Sequence, residues 1–202
     1  LSRGLGDVYK RQAAVLVPWA IPTAITAKLW AFLFSEQGIV NSIFHAHVAW
    51  QTDPWAARFS IILADVWKTT PFMALLILAG LQMIPKDLYE AARMDGANAW
   101  QRFTRITLPL AKNSIIVAVL FRMLDALRMY DLPYIMVGPN PDSPTATLSQ
   151  LVVAAIRQDH VNAASALSTL IFLLIFLIAL CFVKSLGSKV AHQAEPVVAE
   201  EE

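Results

Sequence analysis

Apolar and polar positions along the chain fall into long blocks and do not alternate at the period of a strand. Four apolar blocks stand out, Ala13–Phe34, Phe59–Ile84, Asn113–Val137 and Ser165–Val183. Each is near the roughly 20 residues with which a helix crosses about 30 Å of hydrocarbon. The pattern predicts an all-α, polytopic transmembrane helix bundle with four spans. The last block, SALSTLIFLLIFLIALCFV, carries no charge. The other three contain Lys28, Asp65, Lys68, Arg122, Asp125, Arg128 and Asp131, so those helices are expected to turn their charged faces to protein or water. Pro18, Pro22 and Pro71 fall inside spans and predict kinks within a bundle whose neighbours satisfy the freed carbonyls.

Composition agrees with this picture. A chain of 202 residues that is 57% hydrophobic holds more apolar mass than one water-soluble domain of that size normally buries, and the bilayer is the expected solvent. A net charge of +1 leaves no basic surface for nucleic acid. The single cysteine, Cys181, rules out an intrachain disulfide framework and a cysteine zinc site; it reads as a small apolar residue of the last span. His45 and His47, with Asp53 nearby, read as a solvated loop, and no metal site is expected. Residues 1–12, LSRGLGDVYKRQ, lack the apolar core of a signal peptide and read as an extraneous leader or a truncated beginning. Residues 191–202 end in glutamates and read as a solvated acidic tail.

Charge placement orients the bundle. The connection 85–112 holds Lys86, Arg93, Arg102, Arg105 and Lys112, whereas the connections on either side hold one arginine each, Arg58 and Arg157. Positive charge accumulates on cytoplasmic loops, so this connection is expected inside, and with four spans both ends of the fragment are cytoplasmic. Lys184 and Lys189, just past the last block, agree. The connection itself predicts two short helices. Pro85 suits a helix start, Asp87 and Glu90 favour the early turns, and Gly96 can end the first helix in a left-handed conformation. Leu88, Ala91 and Ala92, then Trp100, Phe103 and Ile106, recur at helical spacing and leave apolar faces that need a partner or the membrane surface.

These residues also carry a resemblance. Glu90-Ala91-Ala92, Asp95-Gly96-Ala97, then Phe103, Ile106 and Leu108-Pro109 are similar to the EAA signature of binding-protein-dependent ABC importer permeases, and the likeness runs from about Ala13 to Leu186. The wording of the spans, VLVPWAIPTAITAKLWAFLF and DVWKTTPFMALLILAGLQMIP, looks most like the sugar-importer permeases of trehalose or maltose type. The resemblance implies a bacterial plasma-membrane permease of the type I importer core over residues 13–190, with a cytoplasmic coupling helix in the loop 85–112. In it Glu90, Ala91, Ala92, Asp95 and Gly96 would couple to an ATP-binding subunit. Such permeases normally have six or more helices, so the family's first core helices are expected to be missing here. The family's usual assembly implies a second permease subunit, two ATP-binding subunits and an extracytoplasmic solute-binding protein. No Gly-x-x-x-x-Gly-Lys-Ser/Thr string occurs in the sequence, so ATP and Mg are expected on the partner ATPase, with no catalysis and no cofactor on this chain.

Two stripes are candidates for the solute path. Arg122, Asp125, Ala126 and Met129 fall at i, i+3, i+4 and i+7 of the third block, and Asp65, Thr69 and Phe72 at i, i+4 and i+7 of the second. Carboxylate, guanidinium and hydroxyl groups suit sugar hydroxyls, and aromatic rings suit sugar C–H faces. The alternative is structural: Arg122 with Asp125, and Lys68 with Asp65, would be ion pairs that neutralise each other between helices. Trp19 and Trp30 read as packing or interfacial anchors. Two further functions remain open at this level. One is an ABC permease for another solute such as glycerol phosphate; the other is an ion-gradient-driven secondary transporter, for which the sequence shows no inverted repeat.

Overall fold

The computed structural model describes residues 16–191. Among them there is no strand; the chain is all helix and loop. After a helical stretch over residues 16–20 come α1 (Thr23–Leu33), α2 (Ile39–Phe44), α3 (Pro54–Gln82) and α4 (Lys86–Met94). Then follow α5 (Ala99–Leu127), α6 (Asp131–Met136), α7 (Leu148–Arg157) and α8 (Val161–Ala191). The expected leader and acidic tail lie outside the described residues, apart from Ala191, the last residue of α8.

Among the described residues three helices are long and apolar enough to cross a membrane, Pro54–Gln82, Ala99–Leu127 and Val161–Lys184; a fourth span is not found among them. The described part of the first expected span is interrupted at residues 21 and 22. Pro22 has no N–H with which to continue the helix, and the chain restarts as the 11-residue α1. The second span begins five residues before the expected Phe59. Asp53 Oδ1 accepts from the backbone N–H groups of Trp55 at 3.0 Å and Ala56 at 2.8 Å, a side-chain cap followed by proline at the first helical position.

The third span differs most from the expected Asn113–Val137. It starts at Ala99, runs continuously through a π-turn over Phe103–Thr107 and stops at Leu127. Pro109 cannot donate to the Arg105 carbonyl, and the π-turn just upstream, closed by Leu108 N–H to Phe103 O, widens the helix where the proline ring would collide. The second short helix expected in the connection is therefore the first part of α5. At the other end, Pro133 lacks the N–H that would bond Met129 O if the helix continued. That carbonyl instead accepts the Thr147 hydroxyl at 2.8 Å, and the chain turns into the short α6.

The chain forms two compact units. One comprises residues up to 75 together with 128–165; the other comprises 76–127 and 166 onward. The core of the first is built from Ala27 of α1 and Phe34 just after it, Ile61 and Ala64 of α3, and Leu132 and Met136 of α6. Trp30 packs against it, stacked on Phe34 at 5.6 Å and edge-on to Trp67 at 5.8 Å. Asn41, only 5% exposed, pins the connection between α1 and α3. Its amide donates to Glu36 O at 3.1 Å and Val48 O at 2.9 Å, and its carbonyl accepts from Trp50 Nε1 at 2.8 Å. In the second unit α3 and α5 approach closely at Gly80: a Cβ there would lie 2.0 Å from Ser114 Oγ and 2.2 Å from Ser114 Cβ. Small residues permit such close helix packing. Many apolar side chains of α8, among them Leu170, Phe172 and Leu177, are exposed, as lipid- or subunit-facing residues are.

Candidate functional site

The segment from α4 into α5 is held by a dense set of local bonds. Pro85, extended at ψ 136°, precedes α4, whose first turn carries Asp87 and whose last carries Arg93, each matching the helix dipole. At its end Gly96 takes φ 75°, the left-handed conformation expected from the sequence. The Gly96 N–H donates to Arg93 O at 3.0 Å and the Ala97 N–H to Ala92 O at 2.9 Å, the paired bonds of a Schellman turn. Asn98 then caps α5 reciprocally with Gln101: Asn98 Oδ1 accepts from the Gln101 N–H at 2.8 Å and Gln101 Oε1 from the Asn98 N–H at 2.9 Å. Arg102 Nη1 donates to Ala97 O at 2.6 Å, and the Tyr89 and Thr107 hydroxyls bond at 2.9 Å, tying α4 to the π-turn.

This local rigidity supports an outer face that has little packed against it. Glu90, Ala91, Asp95 and Gly96 are exposed and Ala92 is half-buried, so all five residues expected to couple share α4 and its closing turn. Beside them Met94 is 89% exposed and Trp100 71%; the Trp100 ring meets Phe103 at 5.8 Å. Exposed apolar side chains on a fixed backbone are what a docking surface presents. Ala92, Asp95 and Gly96 also line one side of a pocket of about 420 Å³ whose other side carries Gln101, Arg102 and Arg105.

The two expected solute stripes have different settings. On α3, Asp65 is buried at 8% exposure. The Thr69 hydroxyl donates to the Asp65 carbonyl at 2.7 Å, and the Phe72 ring is stacked on Trp19 at 5.7 Å. Lys68, one turn along, donates from Nζ to Ile21 O at 2.5 Å and reaches Trp19 O at 3.5 Å. The ammonium thus meets carbonyls freed where the helix stops before Pro22, the end at which a cation also suits the dipole. On α5, Arg122 and Asp125 form an i, i+3 ion pair at 3.6 Å. Met129 lies beyond the end of α5, so the expected four-residue face loses its last member; Arg128 and Asp131 likewise fall on either side of the helix break. Three features escaped the sequence: the Lys68 contacts, the Trp19–Phe72 stack, and Arg58, which donates from Nε and Nη2 to Pro144 O at 3.3 and 3.2 Å. The interior proline at 22 was the available sign of an open helix end, but no local pattern names the lysine that closes it.

Comparison with known proteins follows the same outline. A family model described as the binding-protein-dependent transport system inner membrane component matches residues 12–192. The chain is 44% identical over 178 residues to the trehalose/maltose transport system permease protein MalF of Thermococcus litoralis, covering 86% of this chain and 60% of that protein. It is 38% identical over 179 residues to the trehalose transport system permease protein SugA of Mycobacterium tuberculosis, covering 88% of this chain and 58% of that one. Among solved structures, it resembles a chain of a bacterial alginate ABC transporter in complex with an alginate pentasaccharide-bound periplasmic protein. That likeness has a TM-score of 0.77 and 26% identity, over 90% of this chain and 65% of that one. The chain therefore spans about three fifths of the length of the curated relatives it matches.

Proposed function

The chain belongs to the family of binding-protein-dependent transport system inner membrane components, and from that premise we propose that it is part of the permease subunit of an ATP-driven sugar importer of trehalose or maltose type. The observation that carries the proposal is the α4–α5 turn. It holds Glu90, Ala91, Ala92, Asp95 and Gly96 on a backbone fixed by its own hydrogen bonds, with an apolar face left open. ATP and Mg bind to a separate subunit, which docks on this face; its closure moves α4, and the continuous α5 carries that motion into the membrane. A second permease subunit completes the path, and an extracytoplasmic binding protein delivers the sugar, as the periplasmic protein accompanies the alginate transporter. Alternating access then follows from two states of the pore with different affinity for solute and for the closed ATPase.

The basic connection 85–112 supports a cytoplasmic position for α4. By parity the far end of α8 lies on that side too. A cytoplasmic N-terminal side, as expected from four spans, would require the interrupted segment before α3 to cross as well. Asp65, Thr69, Phe72, Arg122, Asp125 and Met129 remain the residues proposed for the sugar path.

The test is uptake by the full-length protein assembled with its partner subunits in vesicles. Labelled trehalose or maltose should accumulate only with ATP inside and binding protein outside. Accumulation that persists without ATP and follows an ion gradient would replace this reading with that of a secondary transporter.

A further inference from the structure

The pocket at the α4–α5 turn has a composition that the docking face alone does not account for. Two guanidinium groups, Arg102 and Arg105, stand against one carboxylate, Asp95, with the Gln101 amide between them. The walls are set before anything binds. Gly96 and Ala97 are fixed by the Schellman turn, and Arg102 is held by its bond to Ala97 O at 2.6 Å. That bond uses one of the five N–H donors of a guanidinium, so Arg102 still offers donors from a fixed position. Arg105, three residues further on, is exposed.

We propose that this pocket receives an aspartate- or glutamate-bearing segment of the ATP-hydrolysing subunit, its carboxylate pairing with Arg105 and Arg102. The inference rests on the coupling role given to the same turn above. Charge complementarity selects the occupant. A planar carboxylate matches the guanidinium fork, while Asp95 and Gln101 suit the backbone N–H and C=O groups that accompany a side chain on a protein segment. Ala92, Asp95 and Gly96 belong both to the pocket and to the docking face, so a partner seated on α4 covers the opening. The docking face then also receives a side chain from its partner, and such a charged contact fixes docking register and speeds association.

The experiment uses the full-length protein in its assembled complex, reconstituted in lipid discs. With Arg105→Lys, a zero-length carbodiimide should join the amine introduced at position 105 to an Asp or Glu of the ATP-hydrolysing subunit, identified by tandem mass spectrometry of the digest. Arg105→Glu should weaken association of that subunit at least about tenfold, and replacing the identified acid by Lys should restore most of the loss. An intact complex with no link from position 105 to the partner overturns the proposal. So does an Arg105→Glu effect that depends on anionic lipid in the disc and not on the partner, which would make the pocket a phospholipid headgroup site. If Glu90→Lys uncouples transport while position 105 gives no link, the pocket assignment alone fails. If Glu90→Lys changes nothing, the coupling role fails with it.

Discussion

Two polar regions of this chain are built in opposite ways. Around the break before Pro22, the polar and aromatic groups of α3 face inward on the chain itself: Lys68 on Ile21 O, Thr69 on Asp65 O, Phe72 on Trp19. At the α4–α5 turn the backbone is just as fully bonded, yet Glu90, Met94, Asp95 and Trp100 point away from it. Polar groups in a span have no water to fall back on, so the fold recruits them to close open helix ends. A solvated turn satisfies its backbone locally and leaves its side chains available. The same density of hydrogen bonds supports the fold in one region and, on the function proposed above, preorganises the other for a partner.

Substitutions in the two regions should separate accordingly. The largest effect is expected from Gly96→Pro. Proline cannot adopt φ 75° and removes the N–H bonded to Arg93 O, so sugar-stimulated ATP hydrolysis by the full complex should fall by on the order of a hundredfold, as for loss of a central contact worth about 2–4 kcal/mol, while membrane insertion is retained. Lys68→Met should instead lower the thermal stability of the purified complex, by roughly 2–3 kcal/mol for a lost charged hydrogen bond in a span. It should leave binding of the ATP-hydrolysing subunit unchanged; weaker binding would show that the two regions are not distinct in kind. Gly80→Ala forces a Cβ into Ser114 and should cost about 1–3 kcal/mol by overpacking. Ser114→Gly should recover most of it, because the double variant removes both clashing atoms. Smallest is Thr69→Val, which deletes one hydroxyl bond to a carbonyl already in the helix ladder and should cost about 0.5–1 kcal/mol in thermal stability.

How much was legible in the sequence follows from where the physical cause is local. Pro85 and Gly96 mark the ends of α4 because a ring and a missing Cβ act on their own residues, and the turn forms as its residues predict. Asp53-Pro54 carried the same kind of mark for the start of α3, yet counting apolar residues passed over it because Trp55 to Arg58 are not uniformly apolar. The end of the third span was misplaced for a related reason. Tyr130 to Val137 are apolar enough to extend a helix, but Pro133 cannot bond Met129 O, and the Thr147 hydroxyl, 18 residues on from Met129, takes that carbonyl instead. The interruption at residues 21 and 22 was legible as a kink; its depth depends on Lys68, 47 residues away from Ile21, which no window on the sequence contains. For the site, the order Glu90-Ala91-Ala92 and Asp95-Gly96-Ala97 pointed to the turn. The pocket behind it is lined from both sides of the turn, by Ala92 to Ala97 and by Gln101 to Ile106, a juxtaposition that no local pattern states.

The most direct measurement of the coupling role is sugar-stimulated ATP hydrolysis by the full-length complex in vesicles, comparing Glu90→Lys with the unaltered protein. Glu90 is exposed and none of the hydrogen bonds described above holds the turn through it, so charge reversal should leave assembly and basal hydrolysis in place while stimulation by sugar falls at least about tenfold, the scale of a lost interfacial charge contact. Stimulation that survives Glu90→Lys in a correctly inserted complex would contradict the assignment of the α4–α5 turn as the element joining ATP hydrolysis to transport.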